Sequence, residues 1–172
     1  NENSRKSIYR VRDGMFRFWF KFVQPNLNNI LLGLGDQVFL NLVQPEISNY
    51  MGEVFEVIAF DYFDLRQVRG SLPFFVNQRG RWWGNNPQKK REEEIDLVAI
   101  GNGGILFGEA KWRNKFTDTD AIHSLLEKSA LFSEEPKYYM IFSRNGFTED
   151  ARKFAESGKN IELIRFQEMA EG

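Results

Sequence analysis

Gly101-Asn102-Gly103-Gly104 constrains this chain more than any other stretch. It separates two apolar runs, Ile95-Asp96-Leu97-Val98-Ala99-Ile100 and Gly104-Ile105-Leu106-Phe107. Two strand-like runs around a glycine- and asparagine-rich turn read as a β-hairpin. In a strand, residues i and i+2 share a face. Glu109 and Lys111 therefore point one way, and Ala110 turns back into the core. Closing the hairpin brings Asp96, on the first strand, beside them. Two carboxylates and one lysine at a sheet edge suit a hard divalent cation next to a phosphodiester.

The rest of the chain reads as helices first and alternating elements afterwards. Residues up to Arg12 read as a short strand or extended arm. Asp13 caps a helix to Val23 whose apolar set (Met15, Phe16, Phe18, Trp19, Phe20, Phe22 and Val23) covers too much circumference for an ordinary surface helix. Such a helix is expected to bury more than one side, against the core, an upstream domain or a second copy. Leu27 to Leu34 reads as a short helical turn, and Asp36 to Phe63 as largely helical with a break at Pro45. Met51, Val54, Phe55, Ile58, Ala59 and Tyr62 mark a buried helical stripe. A strand from Phe74 towards Trp83 precedes the hairpin. After it come a helix capped by Asp118 or Asp120, a strand Lys137 to Ser143, a helix capped by Thr148 and closed by Gly158, and a strand Ile161 to Phe166. That order predicts an α/β fold: a central mixed sheet flanked by helices, with an N-terminal helical extension over 1–44 and the main domain over 45–172. No repeat and no low-complexity tract is expected.

Composition narrows the chemistry. At 172 residues the chain can bury a core without disulfide help, and it has no cysteine, which also removes thiolate zinc sites. A single histidine, His123, argues against histidine-rich metal sites and a Ser-His-Asp triad. Absence of cysteine fits a cytoplasmic location. No apolar run is long enough for a bilayer, so no membrane partner is expected. A chain starting at Asn1 reads as a fragment or a processed chain. The formal net charge is −1, so a nucleic acid must meet a local basic patch. The densest candidates are Arg79, Arg81, Lys89, Lys90 and Arg91, with Arg113 and Lys115 just past Lys111; the plain alternative is a solvated charged loop.

The Asp96…Glu109-x-Lys111 arrangement resembles the PD-(D/E)xK nuclease superfamily, although Ile95 stands where that motif has proline. A closer resemblance runs along most of the chain. Tyr9-Arg10-Val11-Arg12-Asp13 with Phe16-Arg17-Phe18-Trp19-Phe20, Gly52-Glu53-Val54-Phe55-Glu56, Arg81-Trp82-Trp83-Gly84 and Glu94-Ile95-Asp96-Leu97 resemble the domain of unknown function DUF234. That domain is typically the C-terminal part of archaeal-type P-loop ATPases. The resemblances imply a restriction-endonuclease-like fold, an upstream or separate ATPase, and a metal-dependent nuclease site. In it Asp96, Glu109 and the Ala110 backbone carbonyl would bind magnesium or manganese, and Lys111 would position water or stabilise charge on phosphate. The same family pattern favours Glu56 over Glu53 as a further acid from the preceding helix.

Three function classes follow: a metal-dependent nuclease acting on DNA or RNA, a catalytically inactive nuclease-like module that binds nucleic acid or regulates the ATPase, and an interaction domain docking through its aromatic helix on the ATPase or in a homodimer. Against the first stands a metal-free Asp-Lys-Glu ion-pair cluster that anchors the hairpin. Trp82 and Trp83 read as one core ring and one covering ring, or else as a base-stacking platform; His123 reads as a surface or packing residue before a phosphate contact. The glycine-rich turn lacks a Gly-Lys-Ser/Thr ending, so ATPase activity has to come from outside this chain.

Overall fold

In the computed structural model the described residues are 13–87, 89–158 and 160–171. The extended arm expected up to Arg12 lies outside them. The chain divides into two compact units, one running to Tyr50 and the other starting at Met51.

The first unit is built from short helical pieces. Asp13 caps α1 (Gly14–Phe18), its Oδ1 accepting from the Met15 and Phe16 N–H groups at 2.8 and 3.0 Å. A π turn, Trp19–Val23, and a 3₁₀ turn, Gln24–Asn26, follow, then α2 (Leu27–Leu31). The pattern then recurs: α3 (Gly35–Val38) leads into a π turn, Phe39–Val43. Val43-Gln44-Pro45 repeats Val23-Gln24-Pro25, and the next helices begin at the matching positions, Leu27 and Ile47. In each copy the glutamine N–H closes the wide turn on the carbonyl of Trp19 or Phe39. The following proline has no N–H to continue the helix. The expectation of a repeat-free chain is therefore wrong; the two copies share too few side chains to stand out as sequence alone.

Among the described residues of this unit, Phe22, Val38, Val43 and Tyr50 are the buried ones. Phe22 and Phe18 pack edge-on against Tyr50, whose hydroxyl donates to the Gly14 carbonyl at 2.6 Å. Phe16, Trp19 and Phe20 remain 53, 44 and 52% exposed. Of the burial expected for this helix, the unit's own core takes Phe22 and leaves these three rings exposed, so that the second copy or upstream domain remains the expected cover. One ring of the set, Phe22, is enough to close so small a core.

The second unit carries a five-stranded mixed sheet in the order β1-β2-β3-β4-β5. Strands β1 (Val76–Asn86), β2 (Arg91–Gly101) and β3 (Gly104–Lys111) pair antiparallel, while β4 (Lys137–Ser143) and β5 (Ile161–Arg165) add in parallel to β3. The parallel pairings need crossovers, supplied by α5 (Thr119–Ser129) and α6 (Glu149–Ser157). This is the mixed, helix-flanked α/β sheet that the order of elements predicts. A last helix, α7 (Phe166–Glu171), takes over where the sequence reads as the end of a strand.

Two apolar layers sandwich the sheet. On one face Phe55, Ala59 and Phe63 of α4 (Ile47–Val68) meet Leu97, Ala99, Leu106, Met140 and Phe142. On the other, Ile122 and Leu125 of α5 and Ala151 of α6 meet Ile95, Val98, Ile105, Phe107 and Ile141. Truncating a fully buried ring such as Phe55 to alanine should cost about 3–5 kcal/mol. Asp118 caps α5 and Thr148 caps α6, and Thr117 Oγ1 and Ser143 Oγ lie 2.7 Å apart between the two connecting loops. The hairpin turn is tight for a steric reason. A Cβ on Gly101 would lie 2.1 Å from the Phe75 carbonyl oxygen, and Gly104 has φ +132° with the Pro136 carbonyl 2.2 Å from its missing Cβ. The glycines serve packing, not phosphate binding. Among the described residues no helix is long and apolar enough to cross a membrane.

Candidate functional site

The site lies where β2 parts from β3. The two strands pair up to Leu97 opposite Gly108. Beyond that point β3 continues beside β4 as far as Lys111 opposite Ser143. On its other side β2 carries a bulge. Gly80 faces Val98 and Trp82 faces Ile95, so Asp96 and Leu97 stand together opposite Arg81. A bulge re-aims the side chain it carries. Ile95 and Val98 accordingly enter one apolar layer while Leu97 and Ala99 enter the other. Asp96 sits at the switch. Its Oδ2 accepts from the Ala110 N–H at 2.9 Å, taking the place of the β2 carbonyl that a continued ladder would supply. In extended backbone a residue's N–H and C=O point to the same neighbour, so the Ala110 carbonyl faces the same gap.

Glu109 is only 6% exposed, and two lysines hold it. Lys111 Nζ donates to Oε1 at 2.5 Å and Lys128 Nζ donates to Oε2 at 3.0 Å. Alternation along β3 thus places Glu109 and Lys111 together and turns Ala110 to the α4 layer, as the spacing predicts. Asp96 forms no ion pair among the described residues. Its carboxyl is pushed up to about 7, first by burial and next by the negative charge of Glu109; the Ala110 hydrogen bond and Lys111 oppose the rise, and Glu56 adds to it. Glu56 lies within electrostatic reach of Asp96 but is engaged elsewhere, paired with Arg81, which also reaches Glu94 at 3.2 Å. Burial raises the Glu56 carboxyl, and Arg81 partly offsets this. Glu53, on the same helix, is exposed and acts on Glu56 as a like charge.

Asp96 is a half-buried carboxylate with no ion pair among the described residues, and the Ala110 carbonyl points into the same gap. With Glu109 this donor set is hard oxygen throughout, and it fits a small divalent cation that keeps most of its waters. It is not a ready-made cage. Among the described residues no three acids or histidines are grouped to hold an ion, and both Glu109 oxygens carry an ammonium partner.

The expected basic patch is largely spent. Arg79 is paired with Asp64, Arg81 with Glu56, Lys89 with Glu127 at 2.7 Å and with Glu93 at 3.5 Å, and Arg91 with Glu93 at 3.1 Å. These side chains lie opposite acids on neighbouring strands and helices, which a linear reading does not reveal. Lys90 is exposed at the turn with φ 51°. Arg113 and Lys115 are exposed on the loop after β3, with no ion pair among the described residues. Arg144, which follows β4, lies over the Trp112 ring at 4.5 Å and donates to Asn114 Oδ1 at 2.6 Å. The tryptophan pair divides as its position predicts: Trp82 packs on Phe132, and Trp83 is 68% exposed. His123 packs edge-on against Phe154.

Sequence reasoning misses Lys128. A signal for it does exist. Ala121, Leu125 and Lys128 fall at i, i+4 and i+7 of α5, so a lysine occupies the buried stripe of an amphipathic helix.

Fold and site together define a mixed-sheet α/β domain with an acid–lysine cluster where a hairpin opens. The chain belongs to the DUF234 family, archaeal and bacterial proteins of unknown function, whose sequence pattern matches residues 19–123. That stretch holds Glu56, Asp96, Glu109 and Lys111 and stops short of Lys128. The chain is 33% identical over 147 residues to the uncharacterized protein MJECL04 of Methanocaldococcus jannaschii, which covers 82% of this chain and 31% of that protein. It thus spans about a third of the length of the curated relative it matches. Among solved structures, protein VC1899 from Vibrio cholerae is similar with a TM-score of 0.54 and 17% identity, over 71% of this chain and 32% of that one. The likeness is one of fold. A protein of unknown function, AF1548, aligns with a TM-score of 0.43 and 20% identity over 66% of this chain and 65% of that one.

Proposed function

We propose that the second unit is a metal-dependent nuclease domain of the PD-(D/E)xK type that hydrolyses nucleic-acid phosphodiesters and works with a P-loop ATPase. The observation that supports it best is the meeting of Asp96, Glu109 and Lys111 at the opening of the hairpin, with Asp96 forming no ion pair among the described residues. A bound magnesium or manganese ion would supply an acidified water and would neutralise charge on the phosphate. Asp96, Glu109 and the Ala110 carbonyl are the residues to hold it. Lys111, released from Glu109, can donate to a phosphate oxygen and stabilise charge as it builds. Glu56, released from Arg81, can accept a hydrogen bond from a water in the same gap. Arg113 and Lys115 offer charge for the flanking backbone.

A second reading, a catalytically inactive module that binds nucleic acid or regulates and docks on the ATPase, is favoured by one feature. Both Glu109 oxygens and the Glu56 carboxylate are already neutralised by internal cations. The deciding experiment is cleavage of single- and double-stranded DNA and RNA with magnesium or manganese, by this chain and its Lys111→Ala variant. Metal-dependent cleavage lost in the variant supports the nuclease. Nucleic-acid binding without cleavage supports the module.

A further inference from the structure

Lys128 lies outside the stretch matched by the family and outside the Glu-x-Lys motif, yet it holds one of the two oxygens of Glu109. Its position in the fold is costly. The Lys128 side chain is 15% exposed and the Glu109 side chain 8% exposed. A lysine on the buried face of a helix loses hydration that an apolar residue would not need, so its presence there requires a charged partner. It stands in the last turn of α5, where the helix dipole favours a cation. The adjoining turns of α5 are anchored by Ile122 and Leu125, both fully buried. Lys111 is placed differently. It ends β3, its side chain is 21% exposed, and the exposed loop that carries Arg113 and Lys115 follows it directly in the chain.

Resting on the nuclease reading above, we infer that Lys128 is the fixed counter-ion of Glu109, leaving Lys111 as the exchangeable one. While no substrate is present, two ammonium groups balance Glu109 and its neighbour Asp96. When a cation is bound between the carboxylates, one ammonium has to withdraw. Lys111, the more exposed of the two, turns to the phosphate, and Lys128 stays paired with Glu109. Lys128 thereby sets how strongly the site attracts a cation, because its charge opposes any second positive charge at Glu109.

Calorimetric titration of manganese into the 172-residue chain tests this without relying on turnover. Lys128→Met should bind manganese more tightly, on the order of tenfold. Lys128→Gln, which keeps a hydrogen-bond donor and changes packing least, should shift in the same direction. Lys128→Arg should stay near the unaltered chain. Circular dichroism identifies which variants fold, and either neutral one suffices. Weaker or unchanged manganese binding in a folded neutral variant, while the unaltered chain binds, overturns the role of Lys128 and leaves the nuclease reading standing. Lys128→Arg behaving like the neutral variants also overturns it. If neither the unaltered chain nor the neutral variants bind manganese, the metal reading itself fails and the role of Lys128 falls with it.

Discussion

The Asp96 carboxylate accepts the Ala110 N–H at 2.9 Å, across the gap where β2 and β3 stop pairing. One half-buried carboxylate therefore closes a backbone ladder and forms no ion pair among the described residues. Burial and the neighbouring Glu109 charge push it up to about 7 from an ordinary value near 3.8. The sign follows. Between about pH 4 and pH 7 the folded chain holds a proton that the unfolded chain has released. This contribution to stability is complete below pH 4 and is lost as pH climbs to about 7. Asp96→Asn keeps an acceptor for Ala110 and carries no charge. Its denaturant midpoint should exceed that of the unaltered chain above pH 7, and the gap should close towards pH 4. A constant gap across that window would mean that Asp96 is ionised throughout.

Glu109 presents the opposite case, a buried carboxylate with two cationic partners. Removing it strands Lys111 and Lys128 in a shielded place. Glu109→Ala should cost about 3 kcal/mol of unfolding free energy. The double change Glu109→Ala with Lys128→Met should recover part of that loss, and urea titration of the four combinations measures the coupling.

On the proposed nuclease reading, Asp96→Ala and Lys111→Ala should each lower metal-dependent cleavage by about 10²-fold or more while far-ultraviolet circular dichroism stays unchanged. Cleavage that persists at full rate in either variant would point to a contaminating activity.

The basic residues divide by what already holds them. If nucleic acid is bound as proposed, Arg113→Ala and Lys115→Ala should each weaken that binding and flatten its salt dependence by about one ion. Lys89→Ala should leave binding unchanged, because Glu127 and Glu93 hold that side chain. Fluorescence anisotropy over a salt series separates the two groups.

Much of this architecture is legible because it depends on local chemistry. The Gly101–Gly104 turn, the Thr148 cap and the apolar runs of β2, β3 and β4 each dictate their own element. Glu109 and Lys111 share a face by strand alternation alone. What stays hidden depends on partners distant in sequence. Arg79, Arg81 and Lys89 look free in a linear reading and are paired with Asp64, Glu56 and Glu127. Lys128 reaches Glu109 only because a crossover lays α5 on the strand. The bulge at Asp96 is set by the register of β1, which no local pattern encodes. The N-terminal repeat hides for another reason. Its copies share backbone geometry and Val-Gln-Pro but differ in most apolar side chains.

That repeat leads to the final prediction. Both copies turn large side chains outward at the start of their π turns, Trp19 and Phe20 in the first and Phe39 and Leu40 in the second. All four are between 44 and 58% exposed, and Phe16 adds another exposed ring. An apolar surface of this kind is suited to binding another protein surface. In this chain by itself, a second copy is the available partner. Light scattering should therefore show mass rising with concentration. Trp19→Ser with Leu40→Ser should lower that rise. Phe22→Ser, at a position 4% exposed, should instead unfold the first unit by opening its small core. A concentration-independent monomer mass for the unaltered chain would assign the exposed rings to a partner other than a second copy.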